Sequence, residues 1–167
     1  MSESIKFEND VYFDSSSTVH NRKNLKDYLN AKGKTLRCGL STNQGILKNT
    51  LTQISFDTAL NNNFGNNYEN YFRLLGGKIE IMNSNISCVL VVASIQSGGL
   101  GSSNIYINSS ALGRFAVATC SASEGGVSAT AIIPVQKNDK IWAEVYTQND
   151  GQINNWTDMT FIEIASI

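Results

Sequence analysis

The chain has 167 residues, a formal net charge of −1, 16% charged residues and a single histidine. That length suits one domain with its own core plus a short appendage, and the near-neutral balance argues against a nucleic-acid or other polyanionic partner. No run approaches the ~18 consecutive apolar residues of a membrane helix, so no membrane insertion is expected.

Residues 1–35 differ from the remainder of the chain. The opening MSESIKFEND has charge from its third residue and no apolar segment, so the expectation is synthesis in the cytoplasm without a signal peptide. Ile5, Phe7, Val11 and Phe13 stand among acids and polar residues, as in an extended segment or a small hairpin turning at Glu8-Asn9-Asp10. Leu25, Tyr28 and Leu29 then recur at i, i+3 and i+4, and Gly33 is placed to stop the helix they predict. Two or three helical turns are not stable alone in water. The segment must therefore dock on something, and it reads as an attachment region preceding a head domain at 36–167.

Leu36 to about Ile54 is transitional. Strand-like pieces come after it: TQISFD, an Asn-rich loop at 61–67, YFRLL, a Gly76-Gly77 turn, KIEIM, ISCVLVVASIQ, a Ser97-Gly98-Gly99 turn, NIYINSS and GRFAVATCSAS. In the next stretch Val127, Ala129, Ala131 and Ile133 alternate with more polar residues up to Pro134. After a Lys137-Asn138-Asp139-Lys140 turn, Ile141, Ala143 and Val145 alternate with Trp142, Glu144 and Tyr146. This reads as a hairpin, and MTFIEIASI closes the chain. Eight to ten short strands at this spacing predict an all-β sandwich, with helix confined to the N-terminus.

Two stretches carry more apolar surface than one sandwich hides. In 86–95, Ile86, Cys88, Leu90 and Val92 share one face while Val89, Val91, Ala93 and Ile95 share the other, the mark of a strand covered on both sides. Trp142 and Tyr146 add aromatics where a solvated strand would be polar. The cover is either the N-terminal segment folding back or neighbouring subunits. The expected subunit interface is Trp142, Tyr146, Val89 and Val91.

From Gln53 onward the sequence resembles the jelly-roll superfamily of the complement globular head and tumour necrosis factor. ISFD with AL and the Asn-rich loop is similar to that superfamily's first strand. VQKNDKIWAEV is similar to its Gly-Asp turn into alternating valines, with Asn138 for the glycine, and TFIEIASI resembles its last strand. A narrower likeness is to receptor-binding and fibre proteins of bacteriophages of Gram-positive hosts. LLGGKIEIMNSNISCVLVVASIQ resembles their head pattern, and NDVYFDSSSTVHNRKNLKDYL resembles the leader that anchors a fibre to the virion. The resemblance implies a jelly-roll β-sandwich with a short extended and helical attachment segment. It also implies homotrimers in the virion tail, held to a tail or baseplate protein, whose heads bind cell-surface saccharide or teichoic acid. A Gly-x-y stalk is absent. The alternatives are a structural or decorative virion protein that reads no ligand, and a secreted or spore-surface complement-like trimer made by a bacterium.

Catalytic signals are sparse. His20 lies in a polar stretch, and no G-x-S-x-G, H-E-x-x-H or phosphate-cradling glycine loop occurs. The three cysteines (Cys38, Cys88, Cys120) are odd in number and lack C-x-x-C spacing, which favours buried thiols over disulfides or metal ligands. The expectation is no enzyme, no cofactor and no metal. Saccharide binding asks only for an aromatic face and a few fixed polar groups. The loop 148–156 supplies both, and Trp156 with Asn149, Asp150 and Asn155 is the candidate site. The competing reading packs Trp156 under its own loop and spends the amides on turns.

Overall fold

The computed structural model describes residues 5–6, 12–13, 34–62, 69–120 and 124–166. The predicted helix at Leu25–Leu29, His20 and most of the Asn-rich loop lie outside them. Ile5–Lys6 (β1) pairs antiparallel with Tyr12–Phe13 (β2), Ile5 opposite Phe13, the hairpin of the two conformations, extended segment or small hairpin, that the sequence allows there.

The next strands are Thr35–Gly39 (β3), Gln44–Ile46 (β4), Leu51–Gln53 (β5), Thr58–Asn62 (β6), Phe72–Leu75 (β7) and Lys78–Ile81 (β8). After them come Ile86–Gly98 (β9), Ser103–Ser109 (β10), Gly113–Cys120 (β11) and Glu124–Pro134 (β12). Lys140–Thr147 (β13), Gly151–Ile153 (β14) and Asp158–Ser166 (β15) complete the chain. They form two antiparallel sheets. One has the order β4-β14-β9-β15-β3-β6, with β12 on the remaining side of β9. The other has the order β11-β10-β13-β8-β7, with β5 also on β13. The result is the expected all-β jelly-roll sandwich.

Alternation places the core between the sheets. Val89, Val91, Ala93 and Ile95 on β9, Met159 and Phe161 on β15, and Leu36 and Cys38 on β3 face inward. Opposite them stand Phe72, Ile79, Ile81, Ile105, Ile107, Ile141, Ala143 and Val145. Phe72 and Phe161, one from each sheet and both fully buried, hold their rings 6.2 Å apart at 41°. Burial pushes the Cys38 thiol up to about 12 against the pull of its bond to the Met159 carbonyl, which leaves an inert apolar side chain. Cys38 and Cys88 are both free.

Sequence and structure part company at three places. First, β12 and β13 are not a hairpin: β12 pairs with β9 while β13 pairs with β10, β8 and β5. The link between them crosses from one sheet to the other. It is held by bonds to strand ends elsewhere: the Val135 N–H donates to the Ser87 carbonyl, and the Asn138 N–H to that of Ile81. Asn138 sits at φ 75, a left-handed position where asparagine is tolerated almost as glycine is.

Second, the transitional stretch holds three strands, and β3 lies inside its sheet between β15 and β6. A five-residue strand ending in glycine is too short for its alternation to stand out. Third, TQISFD is strand only as far as Gln53. Ile54 and Phe56 beyond it are buried outside any ladder, with the Ile54 N–H donating to the Ala143 carbonyl. The β7–β8 hairpin matches its prediction. Gly76 and Gly77 sit at φ 58 and 75, as a two-residue turn with both centres left-handed requires.

Candidate functional site

Three surfaces concentrate the features the sequence singles out: the outward face of each sheet, and the turn between β14 and β15.

On the seven-stranded sheet the outward side chains of β9 are Cys88, Leu90 and Val92, all half-buried. Register sets Leu90 between Ile132 of β12 and Ile162 of β15. In the next row Val92 lies between Thr130 and Thr160. Ile132 is 61% exposed. The row Ile132–Leu90–Ile162 is therefore an apolar stripe running straight across three strands on a face turned away from the core. Val89 and Val91 do not belong to it. They are fully buried inside this chain's own sandwich, so they offer no surface to a neighbouring subunit, and the outward residues are their neighbours one position along. A period of two makes that difference absolute.

Trp156 is 78% exposed, so it is not packed under its loop. Its turn is firmly held. The buried Thr157 hydroxyl accepts from the Gln96 N–H at 2.9 Å and donates to the Gln96 carbonyl at 3.2 Å. It thereby satisfies β9 where its neighbour changes from β14 to β15. The Asn155 N–H donates to Asn43 Oδ1 at 2.9 Å. Replacing Thr157 with valine leaves the Gln96 groups without that partner, and a loss of about 1–3 kcal/mol is expected in urea unfolding.

Nearby, Arg37 binds Asp158 at 2.7 Å, and the Asp57 carboxylate accepts from the Ser41 hydroxyl and N–H. The Ser41 hydroxyl is the main cause that holds Asp57 below its ordinary pKa, against a smaller upward effect of burial.

The four candidate saccharide residues do not form one cluster. Asp150 accepts from the Lys48 N–H at 2.7 Å, and the Asn149 backbone is tied to the Thr147 hydroxyl. Both lie at one end of β14. Asn155 and Trp156 lie at the other, beyond three extended residues that span about 10 Å. The structure adds Asn43 to the Trp156 side, a residue in the stretch that shows no pattern in the sequence.

Trp142 and Tyr146 lie on the outward face of the six-stranded sheet, opposite to the apolar stripe. They are half-buried and engaged within the chain. Trp142 Nε1 donates to Glu144 Oε1 at 2.8 Å, and Asn108 Nδ2 to Glu144 Oε2 at 3.0 Å. Lys78 Nζ lies 4.2 Å from the Trp142 ring centre, and the Arg114 guanidinium 3.7 Å from that of Tyr106. The Tyr146 hydroxyl reaches Asn49 Oδ1 at 3.4 Å. One continuous contact surface cannot take in both these aromatics and the outward side of β9, because the sandwich lies between them. Sequence reasoning misses Tyr106, Asn108, Arg114 and Lys78. Their alternation is visible, but which strands are neighbours is not.

Among the described residues, no group of three or more His, Cys, Asp or Glu side chains is placed to hold a metal, and no helix is long and apolar enough to cross a membrane.

Solved structures share this architecture. Murine APRIL, in its crystal structure at pH 8.0, superposes with a TM-score of 0.64 at 8% identity, over 80% of this chain and 100% of that one. Eiger TNF from S. frugiperda gives 0.56 at 9%, over 81% and 94%. The globular domain of zebrafish complement 1qA gives 0.51 at 15%, over 79% and 98%. The likeness shows the fold, a jelly-roll β-sandwich. No family model matches the sequence, and neither does any curated protein.

Proposed function

We propose that the chain is the non-catalytic binding head of a homotrimer, attached to a virion tail or baseplate through residues 1–35, and that it reads a host-surface saccharide at Trp156. The observation that carries the reading is an indole 78% exposed on a turn pinned by Thr157 and Asn43. A sugar ring presents a C–H face that stacks on such an indole, and the amides of Asn155, next in sequence, and of Asn43, which holds the Asn155 N–H, suit its hydroxyls. Pre-ordering the turn lowers the entropy cost of capture.

Assembly is supported by the stripe Ile132–Leu90–Ile162, which a lone sandwich leaves in water. The choice of three copies and of a virion rests on the sequence likeness to phage heads and leaders. Three sites on one particle gain from avidity, so each site can be weak.

Replacing Trp156 with alanine is expected to weaken saccharide binding about tenfold or more, as for a hot-spot aromatic. Stability should move by no more than about 0.5 kcal/mol, as at other exposed positions. Glycan titration and adsorption to host cells read the first effect, and urea unfolding the second. Unchanged affinity in the folded variant would remove Trp156 from the site. A wild-type protein that binds no cell would remove the receptor-binding role and leave a structural virion protein.

A further inference from the structure

We propose that Asp150 and Gly151 form a site of spontaneous covalent modification, at which the chain converts to an isoaspartyl linkage and frees the β4–β14 strand pair. The proposal goes beyond the saccharide reading and does not depend on it.

This is the only Asp–Gly pair in the sequence, and no Asn–Gly pair occurs. A glycine on the C-terminal side leaves its amide nitrogen unshielded and the backbone free to bring it to the carboxyl carbon. The fold fixes both members of the pair. A methyl group on Gly151 would stand 2.6 Å from the Gly98 carbonyl oxygen and 2.9 Å from the Gly99 carbonyl carbon, so only glycine fits beside β9. The Asp150 carboxylate accepts from the Lys48 N–H at 2.7 Å, and the Asn49 N–H donates to the Thr147 carbonyl at 2.8 Å. Those two bonds tie the link after β4 to the end of β13.

The other aspartates among the described residues are placed against the reaction. Asp158 is paired with Arg37 and precedes the fully buried Met159. Asp139 is buried, and Asp57 is held by Ser41 and precedes Thr58. Asp150 is exposed and stands just before β14, where no ladder yet fixes it. The Lys48 N–H that holds its carboxyl oxygen also faces the charge that develops there when the nitrogen attacks.

With the carboxyl protonated, the Gly151 nitrogen bonds to Asp150 Cγ, the Cγ–O bond breaks, and the hydroxyl leaves with the amide proton as water. The product is a cyclic succinimide. Water then adds to either ring carbonyl. Opening at the Cγ–N bond restores aspartate, and opening between the nitrogen and the Asp150 backbone carbonyl carbon gives the isoaspartyl form. The backbone then runs through Cβ and Cγ, one atom longer, and the water released in the first step is taken up in the second. β14 has three residues, pairs Gly151 with Ile46 on β4 and Gln152 with Gly98 on β9, and is the ladder partner that joins β4 to its sheet. So short a ladder cannot absorb one extra backbone atom, because pairing and side-chain direction both depend on a strict two-residue period.

The test incubates the full folded chain at neutral pH and physiological temperature and maps its peptides by mass spectrometry. Expected first is a peptide one water lighter at Asp150–Gly151, then one of the original mass that fragments as a β-linked aspartate. Conversion there should exceed that at any other Asp or Asn by about tenfold or more, the ratio a small difference in barrier produces. Asp150→Asn should speed it by about tenfold or more, since ammonia replaces water as the group expelled. Asp150→Ser, which keeps an oxygen for the Lys48 N–H, should abolish it. Hydrogen exchange of the aged wild type should quicken at the amides of β4 and β14 and stay unchanged at those of β12. A folded chain that stays unconverted while the urea-unfolded chain converts overturns the proposal, because the fold then protects the bond. Isoaspartate at this position with unchanged exchange in β4 and β14 overturns the release of the strand pair. So does equal quickening in the aged Asp150→Ser chain, which would assign the loosening to another cause.

Discussion

Replacing Leu90 with aspartate is expected to turn a particle of about 55 kDa, three times the 18.2 kDa chain, into folded monomers. Leu90 lies at the middle of the stripe, between Ile132 and Ile162, and faces away from the core. In an isolated sandwich the new carboxylate keeps much of its water and the fold tolerates it. Against another subunit it would be an unpaired buried charge, which costs several kcal/mol. Three symmetry-related copies of that cost exceed what an interface of ordinary size holds in reserve. Sedimentation at micromolar concentration distinguishes the two masses, and circular dichroism confirms that the monomer is folded. A wild-type chain that already sediments at 18.2 kDa would sink the trimer before any variant is made. A Leu90→Asp protein that stays at the trimer mass would move the interface off this face.

Replacing Phe161 with alanine should have the largest effect on the fold itself, about 3–5 kcal/mol. Phe161 is fully buried on β15, the strand that joins β9 to β3. Its ring meets Phe72 from the opposite sheet, so truncation opens a cavity where the two layers touch and forfeits a tilted aromatic pair. Strand ladders on both sides of β15 limit how far the backbone can collapse into the space. A domain of this size has a total stability of the same order, so the variant should unfold at much lower urea than wild type, or fail to fold at ambient temperature. A shift of less than about 1 kcal/mol, well below the range for such truncations, would mean that the layers do not depend on this contact.

Much of the architecture is local and was open to reading. Alternation in 86–95 separates Val89, Val91, Ala93 and Ile95 from Ile86, Cys88, Leu90 and Val92, and the structure keeps those two sets on opposite faces except for Ile86, which is buried in the core beyond the point where the β9–β15 register shifts. Gly76-Gly77 marks a hairpin because only residues at ease with positive φ make that turn. Each of these signals lies within a few residues of chain. The candidate site was less legible. The exposure of Trp156 depends on Thr157 and Asn43, and the separation of Asp150 from Asn155 depends on β14 lying between its neighbours.

What the amino-acid order determines by itself is which residues extend, which side of its own strand each occupies, and where the chain must turn. Which of two sides becomes core, which strands become neighbours, and that β12 and β13 belong to different sheets were decided only in the tertiary structure. The reason is physical: a strand's two-residue period is set by its own backbone. Its partners are set by pairing between segments as distant as β3 and β15, whose relation no short window contains.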